Sequence, residues 1–256
     1  MKKVVIYLWL PVVIVAAAIL LTASSTAFYF PPALTVLEET VQIWVPEGFV
    51  KNVIPSLTRL LLGFGIALVV GVGMGIFLGA FRRVEHAGRP LIDMIRAIPG
   101  VALLPVAMMF LGPGEAMKVS LIAFAACWPI MLNTIEGVRS IDPVLRNVTQ
   151  TFHITPFHRF RYVYLPAALP QVFAGGRIAL AIAVAVMVAV EMFGTPGGIG
   201  YFIRESQQLF QIVAMWSGLL VLGVFGYLVN VLYRLVEHRV LRWHTRMNRL
   251  VKSNGA

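Results

Sequence analysis

Long apolar runs, separated by short charged or turn-rich segments, dominate the sequence. Most runs approach the roughly 20 residues that an α-helix needs to cross a bilayer core about 30 Å thick. The pattern predicts six membrane-spanning helices, at residues 4–23, 60–80, 97–111, 119–135, 178–191 and 212–233. The third run is short and contains Pro99 and Pro105, so we expect this helix to be discontinuous.

The first run follows Lys2 and Lys3 and leads to small residues at 23–27 that could imitate a signal-peptide cleavage site. Its apolar stretch is longer than the roughly 7–15 residues of a usual signal-peptide core. We therefore interpret it as a retained helix, with a cleaved signal peptide as the alternative.

The composition indicates that lipid is the main solvent of this chain. Hydrophobic residues make up 59% of the sequence and charged residues 12%, and the mean hydropathy is +0.85. We predict an all-α fold, a polytopic bundle of six helices that forms a single transmembrane domain over residues 1–256. In this division, residues 1–30 hold the first span and the start of an external loop, 31–54 the external loop, 55–242 the core, and 243–256 a basic cytoplasmic tail.

The positions of the 21 Lys and Arg residues predict the orientation, because short cytoplasmic loops retain positive charge. Most of them fall in alternate segments, at Lys2, Lys3, Arg82, Arg83, Arg89, Arg139, Arg146, Arg159, Arg161 and a tail that starts at Arg234. Only Lys51, Lys118 and Arg204 fall in segments assigned to the outside. We therefore expect both termini in the cytoplasm. The net charge of +10 then reflects topology and attraction to membrane lipid, and we predict no nucleic-acid partner.

The sequence offers no motif for covalent chemistry. It has one cysteine, Cys127, and contains no phosphate-binding glycine loop, zinc-binding histidine pair or nucleophile elbow. We predict that the chain is not an enzyme and holds no cofactor or metal. Any energy input would have to come from a partner.

Residues 140–170 form the longest internal loop on the predicted cytoplasmic side and carry the start signals of two helices. Asp142 is a suitable N-cap, with Pro143 at the first helical position, and Thr155-Pro156 repeats the signal. We expect the second helix to end at Leu165-Pro166. The exposed apolar residues suit either a partner's groove or the lipid headgroup region, and their pattern leaves both open.

The end of this loop, Leu165-Pro166-Ala167-Ala168-Leu169-Pro170, resembles the EAA loop of ABC importer permeases. Further motifs resemble the nitrate, sulfonate and taurine branch of that family, at residues 30–32, 56–59, 71–79, 96–99, 104–105, 133–139, 191–194 and 198–201. The resemblance implies a permease subunit that is coupled to an ATPase through Val144, Asn147, Val148, Phe152, His153, Phe157, Phe160, Leu165 and Pro166.

The loop departs from the family pattern at two places. Where the family has Glu-Ala-Ala followed four residues later by Gly, this chain has Asn147-Val148-Thr149 and then His153. The departure is compatible with an unusual ATPase partner, with one half of a heteromeric pair, or with weakened coupling.

The resemblance also implies the partners and the location. It implies two cytoplasmic ABC ATPase subunits that bind the ATP and Mg, a second permease copy or paralogue, and a periplasmic or lipid-anchored solute-binding protein. The location would be the bacterial inner membrane, and transport would proceed by alternating access. The alternatives are an ATP-independent channel or secondary transporter, or a membrane-embedded enzyme. The substrate is not specified by this chain.

Several residues within the predicted spans are candidates for packing or for the translocation pathway. Gly71, Gly75 and Gly79 share one helix face, which favours close helix packing, with a smooth pore lining as the alternative. The pathway candidates are Pro99, Pro105, Met108 and Met109 of the broken span, together with Glu191, which could equally be a structural hydrogen-bonding group.

Two external stretches, residues 33–45 and 201–211, have the pattern of short amphipathic helices. They could receive the solute-binding protein or lie at the membrane interface. We favour docking.

Overall fold

The computed structural model describes residues 25–242 and, before them, residues 13, 16–17 and 19–23. Most of the predicted first span and the basic tail at 243–256 lie outside the described residues. Every regular element in the described part of the chain is helical.

The helices follow one another with short connections. They are α1 (Ala33–Ile43), a wide-turn segment (Trp44–Val53), α2 (Ile54–Ala80), α3 (Arg82–Arg96), a 3-10 turn (Gly100–Leu103), α4 (Leu104–Leu111), α5 (Glu115–Arg139), α6 (Pro143–Thr151), α7 (Pro156–Arg159), a second wide-turn segment (Phe160–Tyr164), α8 (Leu165–Glu191), α9 (Ile199–Gln208) and α10 (Ile212–Val240).

Four helical segments are long and apolar enough to cross a membrane. They are Ala33–Ala80, Glu115–Arg139, Phe157–Glu191 and Ile212–Val240. A fifth crossing is possible if α3 and the segment Gly100–Leu111, which are bent by 77° relative to each other, count as one broken span. The predicted all-helical membrane fold is therefore confirmed, with four or five spans among the described residues where the sequence predicts six over the whole chain.

The predicted break in the third span is present, but the element differs from the prediction. Residues 82–96, assigned to a loop, form helix α3, and the chain bends after Arg96, around Pro99. Helix α4 has eight residues and is therefore about 12 Å long, too short to cross a membrane by itself.

The predicted helix end at Leu165-Pro166 is wrong. The helix that starts in the loop continues through both residues, so that Phe157–Glu191 is one run of 35 residues. Proline has no amide hydrogen and crowds the preceding turn. The chain accommodates Pro166 with a wide turn, in which the Leu165 amide donates to the Phe160 carbonyl five residues earlier.

Helices α2, α5 and α8 pack closely because glycines line their contacts. A Cβ atom built at Gly75 would lie 2.5 Å from Cβ of Thr134 on α5, and one built at Gly79 would lie 2.8 Å from Cβ of Val138. On the other side of α5, a Cβ at Gly175 of α8 would lie 2.7 Å from the Pro129 carbonyl oxygen. A side chain at any of these positions would push the helices apart.

The chain divides into two compact units. One consists of the described residues up to Ser56 together with Pro196–Phe225, and the other of Leu57–Thr195 with the described residues from Gly226 onwards. In the first unit, Trp44 packs edge-on against Phe202, and its indole Nε1 donates to Ser217 Oγ at 3.1 Å. The second unit contains the packed layer of α2, α5 and α8.

We expect Gly75→Ala to destabilise the protein, because its methyl group would lie within 3 Å of Thr134 and Met131. Overpacking of this kind costs about 1–3 kcal/mol. Gly73→Ala is the matched control, since a Cβ there meets no atom within 4 Å and alanine favours the helix. Thermal unfolding in detergent measures both. Equal midpoints for the two variants would contradict the packing role of this glycine face.

Candidate functional site

A buried charge cluster centres on Arg59, in the first turns of α2. Its Nε and Nη2 donate to the two carboxylate oxygens of Glu115 at 2.7 and 2.6 Å, and its Nη1 donates to Glu191 Oε1 at 2.8 Å. Arg59 and Glu191 are both buried, whereas 60% of the Glu115 side chain is exposed. One guanidinium thus joins the start of α5 to the end of α8.

Lys118 extends the cluster by one turn of α5. Its side chain is fully buried, and its Nζ lies 4.0 Å from Glu115 Oε1. The same ammonium group donates to the carbonyl oxygen and the Oγ1 of Thr195 at 2.9 and 3.1 Å. The Thr195 amide donates to the Pro113 carbonyl at 3.1 Å, so this residue is held from both sides.

The charges of the cluster balance. Arg59 and Lys118 face Glu115 and Glu191, so the four side chains carry no net charge when all are ionised. Their hydrogen bonds satisfy one another and the backbone of Thr195. The cluster is therefore suited to joining helix ends, and it has no surplus charge with which to bind a charged solute.

Sequence reasoning found only Glu191 of this cluster. It placed the start of the second span one residue after Arg59 and assigned Lys118 to an external segment, whereas α5 begins at Glu115 and buries Lys118. A signal was available. A carboxylate within an apolar span needs a counter-charge, and Arg59 is one of several basic residues that directly precede a predicted span.

The other pathway candidates lie apart from Glu191 in the sequence and on a different element. Pro99 precedes the 3-10 turn and Pro105 lies in the first turn of α4. Met109 is largely exposed and Met108 half-buried on the same short helix. The structure thus places four candidates on one exposed, broken segment and the fifth in the ion-pair cluster.

The two helices predicted in the loop are α6 and α7, and we call this pair the elbow. Asp142 Oδ1 accepts from the Val144 amide at 2.8 Å, so it caps α6 as predicted. In α7, Thr155 Oγ1 and His158 Nδ1 are hydrogen-bonded at 2.7 Å. The residues named for coupling are all exposed or half-buried, namely Val144, Asn147, Val148, Phe152, His153, Phe157, Phe160, Leu165 and Pro166.

The turn between α6 and α7 contains a residue in a backbone conformation that favours glycine. His153 has a φ of 49°, in the left-handed region. The turn closes through the Ile154 amide, which donates to the Thr149 carbonyl at 3.2 Å. Arg159 Nη2 also donates to the Thr149 carbonyl at 3.1 Å and to that of Ile154 at 3.4 Å. The arginine thus stabilises the turn.

An aromatic surface covers the elbow. Phe157 is 68% exposed, and Phe152 and Tyr162 are exposed as well. His158 stacks on Tyr162 with ring centroids 5.8 Å apart, and Phe157 meets the His158 ring edge-on. We call Phe152, Phe157, His158 and Tyr162 the elbow surface. Such an exposed cluster is typical of a partner contact.

A second exposed apolar pair lies at the turn between α9 and α10. Phe210 has a φ of 56° and is 66% exposed, beside an exposed Leu209. A bulky residue in the left-handed region is strained. On α9, the Tyr201 hydroxyl donates to Glu205 Oε1 at 3.0 Å, and this hydrogen bond raises the pKa of the Tyr201 phenol.

Removing the central cation should destabilise the protein more than removing an exposed one. We expect Arg59→Met to cost about 3–5 kcal/mol, because it leaves the buried Glu191 without its close ion pair. Arg96→Met is the control, since Arg96 pairs with Asp93 at 2.8 Å on an exposed surface, where such pairs contribute about 0–1 kcal/mol. The midpoints of thermal unfolding of the two variants measure these losses. Similar losses for both variants would show that the cluster is not a structural junction.

We expect His153→Gly to stabilise the elbow turn, by about 1 kcal/mol, because glycine adopts the left-handed conformation without strain. His153→Val should do the opposite, since a β-branched residue is strongly disfavoured there. Hydrogen exchange of the amides at residues 150–156 measures the local effect. Faster exchange in the glycine variant than in the wild type would contradict the role of the turn.

Comparisons with known proteins agree with this architecture. Residues 67–242 match the family described as binding-protein-dependent transport system inner membrane component. The putative aliphatic sulfonates transport permease protein SsuC of Bacillus subtilis is 33% identical over 188 residues, which cover 73% of this chain and 68% of the relative.

Two further relatives cover more of the chain. The taurine transport system permease protein TauC of Escherichia coli is 28% identical over 84% of this chain and 80% of its own length. The nitrate import permease protein NrtB of a Synechocystis strain is 30% identical over 82% of this chain and 80% of its own length.

A solved structure shares the fold. A chain of the MetNI methionine ABC transporter, in an inward-facing conformation, superposes with a TM-score of 0.66 at 19% identity, covering 76% of this chain and 97% of that one. The structural likeness shows the fold, and the family match shows the family. The chain belongs to the binding-protein-dependent transport system inner membrane components and is the permease subunit of an ABC importer, a transport subunit rather than an enzyme.

Proposed function

We propose that the elbow formed by α6 and α7 docks into a cytoplasmic ABC ATPase, which binds the ATP and Mg and drives transport. The observation that carries this proposal is the elbow surface, with Phe152, Phe157 and Tyr162 exposed on a capped pair of helices. The turn between the helices has a left-handed residue, His153. The departure from the family pattern is therefore compatible with a working elbow.

The arrangement of the basic residues favours a partner groove over the lipid headgroup region. A helix that lies on lipid presents its Lys and Arg side chains to the phosphates. Arg159 instead donates to two backbone carbonyls within the elbow, and Arg161 lies 5.8 Å from the centre of the Tyr162 ring. Arg159 and Arg161 thus contact groups of the elbow itself, while the aromatic side chains of the elbow surface are exposed.

The permease functions together with a second copy or a paralogue. Helix α4 is too short to cross the membrane, and its pathway candidate Met109 is exposed. A second permease would cover this segment and complete the pathway between the two chains. Broken helices at membrane depth are tolerated where protein or a water-filled cavity surrounds them.

A solute-binding protein docks at the turn between α9 and α10. Leu209 and Phe210 present an exposed apolar pair at the α9–α10 turn, where the Phe210 backbone lies in the left-handed region. The cargo is a small solute with an anionic group, because the names of the relatives refer to sulfonates, taurine and nitrate. The excess of basic residues in alternate loops supports an orientation in a bacterial inner membrane with both termini in the cytoplasm.

Two matched aromatic substitutions test the elbow. We expect Phe157→Glu to reduce recovery of an ABC ATPase at least fivefold when the tagged chain is purified in mild detergent, because a charge replaces an exposed apolar contact. Phe210→Glu, at a residue of similar exposure, should leave this recovery unchanged. Mass spectrometry identifies the ATPase, and hydrolysis of ATP by the purified complex confirms it.

The outcomes separate the alternatives. Loss of the ATPase with both variants would indicate unfolding rather than a docking site, and retention with both would place the ATPase contact elsewhere. Absence of any ATPase with the wild-type chain would contradict the proposed function. Selective loss with Phe157→Glu supports it.

A further inference from the structure

A second buried carboxylate, Glu85, lies next to the base of the elbow. Its side chain is 6% exposed, although it belongs to the otherwise largely exposed helix α3. Arg139 Nη2 donates to Glu85 Oε2 at 2.8 Å. Two residues of α3 itself, His86 and Arg89, also contact the carboxylate, at 3.0 and 3.5 Å.

The position of Arg139 in the chain connects this pair to the elbow. Arg139 is the last residue of α5, and α6 starts at Pro143. The guanidinium Nε of Arg139 has no hydrogen-bond partner among the described residues, so the bond to Glu85 orients this side chain. Any displacement of the elbow thus reaches the end of α5, where Arg139 is held by α3.

Near this ion pair, Ile92 of α3 packs against an apolar cluster that includes Ile135 of α5, and a cavity lies beside this contact. A polar cavity of about 250 Å³ adjoins Glu85 and is lined by residues of both helices, including Asp93 and Glu136. The ion pair bridges the two helices beside this cavity. Helix α3 continues through the 77° bend into α4, which carries Met108 and Met109.

We propose that Glu85 is a positioning residue that acts through Arg139 and transmits movement of the elbow to the broken segment α3–α4. The inference rests on the proposed docking of the elbow to an ATPase. A buried ion pair is weak evidence for a purely stabilising role, because desolvation of the two charges offsets much of their attraction. The hydrogen-bonded pair of Glu85 and Arg139 is directional, so movement of Arg139 pulls on α3. An apolar contact beside a cavity could slide without transmitting this movement.

The test measures movement at α4 with a single cysteine. The reporter chain carries Cys127→Ser and Met109→Cys, and N-ethylmaleimide modification is timed in the purified complex with its ATPase, without nucleotide and with ATP and vanadate. We expect the nucleotide to change the modification rate of the reporter chain at least threefold. Glu85→Gln and Arg139→Gln should each reduce this change to less than 1.5-fold while the ATPase still copurifies and hydrolyses ATP.

The matched controls are Asp93→Asn and Arg96→Gln, which break an exposed ion pair on the same helix. They should leave the threefold change intact. The double variant Glu85→Gln with Arg139→Gln removes both charges of this ion pair, so neither residue leaves the other as an unpaired buried charge. It should behave like either single variant. This double variant also serves if a single variant fails to fold. Arg139→Lys, which keeps the charge, should retain at least half of the change.

The failures are distinguishable. An undiminished nucleotide response in the double variant would overturn the role of Glu85, and so would a reporter chain that binds its ATPase but shows no response at residue 109. A reduced response in Asp93→Asn as well would overturn the specificity of the link. If the reporter chain recovers no ATPase at all, the proposed docking of the elbow fails instead.

Discussion

The close pairing of Arg59 with Glu191 is the constraint on which the packed layer depends. Both side chains are buried within apolar helices, where an unpaired charge would cost several kcal/mol. Each therefore requires the other, and Glu115 and Lys118 complete a set without net charge. Because the members lie at the start of α2, the start of α5 and the end of α8, satisfying the charges fixes three helix ends at once. The glycine contacts then determine how closely the helices approach over the rest of their length.

The elbow turn shows that a residue other than glycine can occupy a left-handed backbone position. A glycine at the end of a helix is favoured because it adopts a positive φ without strain. Here His153 adopts that conformation, and histidine is among the residues that tolerate it better than most. The guanidinium of Arg159 contributes by donating to carbonyl groups on either side of the turn. The altered loop motif thus still forms a turn with a left-handed residue between two helices.

The sequence predicts most of the membrane helices because apolar length is a strong signal that needs no tertiary information. It also predicts both elbow helices from Asp142-Pro143 and Thr155-Pro156, whose effects are local. The errors occur where distant residues decide the outcome. Pro166 appears as a helix end, but the wide turn at Phe160–Tyr164 carries the helix past it. Lys118 appears as a loop residue because its partner Thr195 is 77 positions away. Glu191 was found, but its partner Arg59 lies across the layer, and spacing alone cannot reveal that pair.

We expect the layer of α2, α5 and α8 to move as one body in a transport cycle. Sliding of α2 along α5 would drive the backbone at Gly71 and Gly75 against Ile130 and Thr134, because the contacts there leave no space for a Cβ atom. Separation at the other end would pull Arg59 away from two carboxylates. Since α6 and α7 connect α5 directly to α8, force on the elbow acts on both helices together. The low-energy response is rotation of the whole layer, and relative movement is then concentrated at elements joined by bends, such as α3 and α4.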